Sequence, residues 1–422
     1  MGRYPNARNW QGILAALALG LVALPAGAQE DPAPQVWQLV DAETGRLTGI
    51  TDLQALKFMF PDSATVRRRL LNAYLEAERP ADALAEAVEL AERGYVFSAG
   101  AQEMLLTLDP TAEQRIALAR QAAGAEPIEA SRLLATVPSD VRLVESVWRD
   151  PASGDLFVTS VVSRSLQVRR GEGAWEPIAL AGAGSLSGMA FDPRANLLWV
   201  GSGAFEQTPD PATAFRGVIA IDPVSGLEKR RIAGPEGSSP SDLAVAADGT
   251  VFVSDPVSGA VYRGGPDATT LDVLVAPGTF RSPQGIVVLR DGVTLIVSDY
   301  GYGLALVSAR TGAVKRLATD APVLLDGIDG LWRQGDRLIG VQNGARPIRI
   351  VELTLSADES RVIAASDRER AHPAWTEPVG GNITDGELVY VATGQWDRFG
   401  EGGEPVEERP PAPTEIRILP LK

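Results

Sequence analysis

The stretch "SPQGIVVLRDGVTLIVSDYGYGLALVSARTG", residues 282–312, decides the fold. It holds three runs of Val, Ile and Leu punctuated by "RDG" and "DYGYG", which reads as three short strands joined by turns. The preceding "SPSDLAVAADGTVFVSDPVSGAVYRGG" (239–265) repeats the same order. Its core triplet recurs around Phe157, Trp199, Phe252, Ile296, Ile339 and Val389, with separations of 42, 53, 44, 43 and 50 residues. A period of roughly 40–50 residues with about four strands per unit is the mark of a β-propeller. Six units are present. The last one runs out of chain after its third strand, 415–419, whereas "RLLATVPSD" (132–140) resembles the fourth strand "KRLATDAP" (315–322). Residues 133–137 are therefore expected to pair outside 415–419 and close the ring, leaving no open sheet edge. The expected fold is mainly β, a six-bladed propeller over 132–422 behind a small α-helical domain.

That helical domain is placed at 53–131. "ATVRRRLLNAYLEAERPADALAEAVELAERGY" carries apolar residues at helical spacing (Val66, Leu70, Leu71, Tyr74, Leu75), then Pro80, then Leu84, Ala87, Val88 and Leu90. This predicts two amphipathic helices with the proline in the first turn of the second. Two more are predicted at 99–108 and 111–122. The pair resembles a tetratricopeptide hairpin, but such repeats need about three copies to stand alone. A domain packed on its neighbour and a protein-docking module both remain open.

Residues 1–28 read as an export signal. Arg3 and Arg8 precede the apolar run Ile13–Leu24, and Ala26-Gly27-Ala28 makes a small-residue cleavage site. About 12 apolar residues are too few to cross a bilayer, so no membrane span is expected in the mature chain. A linker is assigned to 29–52. The chain has no cysteine, which excludes disulfides and thiolate chemistry and, with export, points to the periplasm. Losing the two leader arginines takes the net charge from −15 to −17, a balance that disfavours nucleic acid as a partner.

No HExxH, P-loop, EF-hand or GxSxG motif appears, and "GSLSG" (184–188) has Leu186 at its centre. The one histidine, His372, reads as a surface loop residue. What remains is the start of each inner strand, which in a propeller faces the central channel. Aligning the units puts Glu145, Ser187, Ser241, Gln284, Asp329 and Val379 there. Two converging carboxylates need a partner, and oxygen donors without His or Cys suit a hard cation such as calcium. Hydrogen bonding to channel water or to the next blade is the alternative.

Here the chain resembles the regucalcin–gluconolactonase family and, more loosely, the paraoxonases and strictosidine-synthase-like propellers. The likeness covers about 135–422 and rests on "VESVWRDPASGDLFVTSV" (144–161), "SPQGIVVLRDGVTLIVSD" (282–299) and "IDGLWRQGDRLIGV" (328–341). It implies Glu145, Gln284 and Asp329 as metal ligands, with Asp329 also the general base. Gln284 stands where the family has Asn, and the fourth ligand position offers only Ser241-Asp242. Long connections between second and third strands are expected to bring Phe205, Phe215, Tyr300, Tyr302, Asn343, Trp396 and Phe399 to the channel mouth as a substrate-binding rim. The tract 400–413, rich in Gly, Pro and Glu, reads as a mobile rim. Two functions fit these residues. One is a calcium-dependent hydrolase of lactones or similar esters, with Asp329 or Asp242 taking the proton. The other is a non-catalytic module that binds a sugar acid or a protein partner through the propeller face and the helical hairpin.

Overall fold

The computed structural model describes residues 47–422; the leader and most of the linker assigned from sequence lie outside them. Six sheets follow one another along the chain, antiparallel but for one short outer pair; four are in sequential strand order, the fifth takes an extra outer strand from the segment before it, and the last takes its outer strand from the start of the propeller. In the last sheet, Thr414–Pro420 takes Arg132–Val137 as its outer neighbour, with Val137 opposite Thr414 and Arg132 opposite Ile418. The ring closes as the sequence implied. The triplet residues Phe157, Trp199, Phe252, Ile296, Ile339 and Val389 are all buried, because each second strand lies between the faces of adjacent blades. One outer strand departs from the repeat. Val314–Arg316 finishes blade 4, but Ala318–Thr319 crosses to pair in parallel with the long outer strand Arg361–Arg370 of blade 5. No helix among the described residues is long and apolar enough to cross a membrane.

Every inner strand is broken at the same place. In each blade two residues face one on the second strand: Glu145-Ser146 face Thr159, and Gln284-Gly285 fall in the register shift opposite Ser298. Asp329 and Gly330 both bond Val341, the first donating its N–H and the second accepting through its carbonyl. Blades 3 and 6 repeat that pattern at Ser241-Asp242 and Val379-Gly380, and blade 2 shifts register across Ser187-Gly188. These are β-bulges, which bend a strand and re-aim its side chains. The second bulge residue is glycine in four blades, and at three of them (Gly188, Gly285 and Gly380) a Cβ would run into the neighbouring blade. A Cβ on Gly285 would lie 2.7 Å from the Leu331 nitrogen.

Five α-helices precede the propeller among the described residues: α1 (Ile50–Met59), α2 (Ala64–Glu76), α3 (Pro80–Glu92), α4 (Ala99–Leu106) and α5 (Ala112–Arg120). Helix α1 begins inside the segment read as linker. It is short and turns only Leu53 and Leu56 inward, too little periodicity to register in sequence. Ser63 caps α2 and Pro80 opens α3 in its first turn.

The helices are fastened to the channel end of the propeller. The buried Asp326 carboxylate accepts the Ala64 and Thr65 N–H groups at 2.8 Å each, so a propeller loop supplies the anion that a helix N-terminus favours. The Ser63 hydroxyl donates to the Gly301 carbonyl (2.8 Å), and Phe60 stacks on Tyr302 at 4.5 Å. Asp62 bridges Arg93 (2.9 Å) and Arg316 (2.7 Å), tying helix to blade. His372 is 7% exposed rather than on the surface: its Nδ1 accepts the Ala374 N–H, its Nε2 lies 3.1 Å from Arg417, and it packs beside Trp375.

Candidate functional site

The bulges sort the channel residues into two levels. The first bulge residues Glu145, Ser241, Gln284 and Asp329 line a cavity of about 380 Å³ at one mouth. The second residues Ser146, Asp242, Gly285, Gly330 and Gly380 line a separate cavity of about 430 Å³ towards the other end. Asp242 is thus aimed away from the mouth, unlike the sequence alignment implied.

Long loops complete the mouth. Phe205, Tyr300, Asn343 and Trp396 line it as expected. Phe215 does not, because it packs between blades 1 and 2 with the Arg231 guanidinium 4.9 Å above its ring. Tyr302 is held in the core by Phe60, and Phe399 is buried beside Leu143 and Val161. The 400–413 tract is a built rim. The Gly402 N–H donates to the Glu206 carbonyl, and that of Val406 to the Arg398 carbonyl, both at 2.8 Å. Gly403 sits in the left-handed region (φ +76°), where a Cβ would come within 2.9 Å of the Gln207 carbonyl.

Three further polar residues escaped the sequence reading. Ser282 and Glu377 also line the mouth, each two residues upstream of a first bulge position. The period-two rule for extended chain puts them on the same side, so continuing the alignment upstream would have found both. Gln207 comes from the blade-2 insertion and carries no sequence signal.

The polar groups are chained together. The Tyr300 hydroxyl donates to Asn343 Oδ1 (2.8 Å), and Asn343 Nδ2 donates to Asp329 Oδ2 (2.7 Å) and to the Pro378 carbonyl (3.0 Å). The amide is thereby fixed with its N–H groups towards the carboxylate. Across the mouth, the Trp396 indole N–H donates to Glu145 Oε2 (2.7 Å), and the Gln284 amide turns to the Ser282 hydroxyl (3.1 Å).

Among the described residues three carboxylates share this mouth, and no Lys, Arg or His lines it. Burial, helped by the nearby Asp329 and Asp242 charges, pushes Glu145 well above the ordinary carboxylate range. Burial and Asp329 raise Glu377 to about 7. Asp329 itself rises to about 6 through burial, partly offset by the Asn343 hydrogen bond. Asp242 rises to about 7 from burial and Asp329, so the charges of both levels feel one another. Acids crowded this way hold protons near neutral pH or welcome a cation.

Among the described residues, no group of three or more His, Cys, Asp or Glu is arranged to hold a metal. A cation here would need Gln284 and Ser241 beside Glu145 and Asp329. Such an all-oxygen, doubly negative donor set fits a hard ion in chemistry and charge.

No family model and no curated protein matches the chain. Solved structures do. A gluconolactonase from Xanthomonas campestris is 18% identical, with a TM-score of 0.47 over 70% of this chain and 96% of that one. A PQQ-bound aldose sugar dehydrogenase from Streptomyces coelicolor is 13% identical (TM-score 0.46, 70% and 99% covered). Virginiamycin B lyase from Staphylococcus aureus is also 13% identical (TM-score 0.44, 65% and 80% covered). The chemistry of this chain is read from its own mouth residues.

Proposed function

We propose that the channel mouth binds a small polyhydroxylated lactone or related ester and hydrolyses it. The observation that carries this reading is Asp329, a carboxylate raised to about 6 and oriented by the Tyr300–Asn343 chain, facing a second carboxylate, Glu377, raised to about 7. Near pH 6.5 the first is mostly ionised and the second mostly protonated, the pairing a general base and a general acid require.

In this reading Asp329 takes a proton from water as the water attacks the lactone carbonyl. Glu377 gives its proton to the ring oxygen as the acyl C–O bond breaks, leaving the hydroxy acid. Trp396, Phe205 and Tyr300 supply flat faces against which a sugar ring packs, and Gln207 and Ser282 offer hydrogen bonds to its hydroxyls. Calcium, if it takes part, would be held by Glu145, Asp329, Gln284 and Ser241, and would polarise the carbonyl as a Lewis acid. Asp242, facing the far end, is left as a charge that tunes its neighbours.

The test is a panel of aldono- and aryl lactones, with ring opening followed by proton release in calcium and in chelator, and product binding measured by calorimetry. Saturable turnover of a sugar lactone supports the proposal. Binding of sugar acids without turnover of any lactone would overturn it in favour of the binding module.

A further inference from the structure

Tyr300, Asn343 and Asp329 come from three different loops, and the turn that opens α2 reaches all three. The Ser63 hydroxyl donates to the carbonyl of Gly301, next to Tyr300 (2.8 Å), while its oxygen caps α2 by accepting the Val66 N–H (3.1 Å). Asp326, in the loop that leads to Asp329, takes the first two N–H groups of α2 on its carboxylate. The Asp326 carbonyl accepts from the Gln342 amide (2.6 Å), next to Asn343. The Asp62 carbonyl accepts the Leu325 N–H (2.9 Å). The three loops are also bonded to one another. Gly327 donates its N–H to the Tyr300 carbonyl (2.8 Å), and Gly344 donates to the Gly327 carbonyl (3.0 Å). They touch backbone to backbone: a Cβ on Gly344 would lie 2.7 Å from the Gly327 Cα and 2.9 Å from the Tyr300 hydroxyl. A shift of the Gly301 or Asp326 backbone therefore moves the Tyr300 hydroxyl, and with it the Asn343 amide that orients Asp329.

We propose that the Asp62–Thr65 turn belongs to the machinery of the mouth, with Ser63 and Asp326 as positioning residues that hold the Tyr300–Asn343–Asp329 chain in place. The proposal rests on the reading of the mouth as a lactone site and gives the helical region a role in it. Ser63 and Asp326 are both buried, so removing either leaves its partners unsatisfied and the loop free to settle elsewhere. A catalytic group misplaced by about 1 Å loses about 10²-fold in rate, and one bond lost from a network held at several points should cost about 10-fold. Phe205, Gln207 and Trp396, the groups that would face the sugar, stand on other loops. The loss should therefore fall on kcat and spare KM.

The test uses the full chain in four forms: wild type, Ser63→Ala, Ser63→Thr and Thr111→Ala. Thr111 is the control, because its hydroxyl caps α5 through the Gln114 N–H in the same way, but away from the mouth loops. Hydrogen-exchange mass spectrometry reads peptides covering 299–303, 324–329 and 342–345. Ser63→Ala should speed exchange there at least about 10-fold, Ser63→Thr should restore most of the protection, and Thr111→Ala should match wild type. Opening of D-glucono-1,5-lactone at pH 6.5 should fall about 10-fold in kcat for Ser63→Ala, with KM within about twofold, and recover in Ser63→Thr. Phe60→Leu keeps both caps and removes the stack on Tyr302, so it should show the same pattern and serves if Ser63→Ala does not fold. The exchange pattern in a protein whose wild type opens no lactone would sink the hydrolase reading alone. Unchanged exchange in Ser63→Ala and Phe60→Leu, an equal change in Thr111→Ala, or unaltered kcat in an active protein would overturn the positioning role.

Discussion

Replacing Asp329 by Asn should make the protein more stable at pH 8 and not at pH 4. The carboxylate has an ordinary value of 3.8 and is raised to about 6 in the fold, chiefly by burial. Its protonated form is thus favoured by folding. Below about pH 4 the group is protonated in both states and costs nothing. As the pH climbs through 6 the folded protein must ionise it, and stability is lost. A displacement of that size corresponds to about 3 kcal/mol, or about 2 after allowance for the water that the channel admits. Asparagine keeps an oxygen for the Asn343 N–H and never ionises. It also removes the charge that raises Glu145, Asp242 and Glu377. The variant's stability relative to wild type should therefore improve by about 2–3 kcal/mol between pH 4 and pH 8. Urea unfolding followed by tryptophan fluorescence, in chelator at pH 4, 6 and 8, gives the number. A difference between the two proteins that stays constant across that range would mean that folding does not shift the Asp329 titration.

Three other outcomes follow from the same geometry. Lactone turnover should show a bell-shaped pH dependence with limbs near 6 and 7, and Glu377→Gln should flatten the alkaline limb; a profile rising steadily past pH 8 would remove Glu377 as the acid. Asp62→Ala strands the Arg93 and Arg316 guanidiniums at the helix–propeller seam and should cost about 3 kcal/mol in denaturant unfolding, against less than 1 for Asp82→Ala in the exposed pair with Arg79. Deleting 132–137 exposes the edge of Thr414–Pro420, so the shortened chain should self-associate at micromolar concentration in analytical ultracentrifugation where the full chain does not.

The propeller was legible because each triplet strand is sandwiched between blades and must be apolar throughout, so burial writes itself into the chain at a fixed period. The closing strand was legible for a related reason: 132–137 fills the place of a fourth strand and carries that strand's pattern. The bulges were not, since two residues opposite one is a matter of backbone geometry that "SD" and "QG" do not announce. Asp242 was accordingly placed one level too high. Tyr302 and Phe215 lie in loops like Tyr300 and Phe205, and composition alone cannot distinguish a ring packed inward from one at the rim. The partner that holds Tyr302 inside is Phe60, 242 positions earlier in the chain and in the helical region. Glu377 was within reach of the period-two rule. His372 is polar and loop-borne, yet Trp375 and Arg417 enclose it.

Asp329 as the base at a site for sugar lactones can be tested in one assay. The direct measurement is the initial rate of D-glucono-1,5-lactone opening at pH 6.5, above the spontaneous rate, by wild type and Asp329→Asn side by side in calcium. Wild type should turn over saturably and the variant should lose about 10²–10⁴-fold, with circular dichroism unchanged. Equal rates in the two proteins, or a wild-type rate no higher than the spontaneous one, would contradict it.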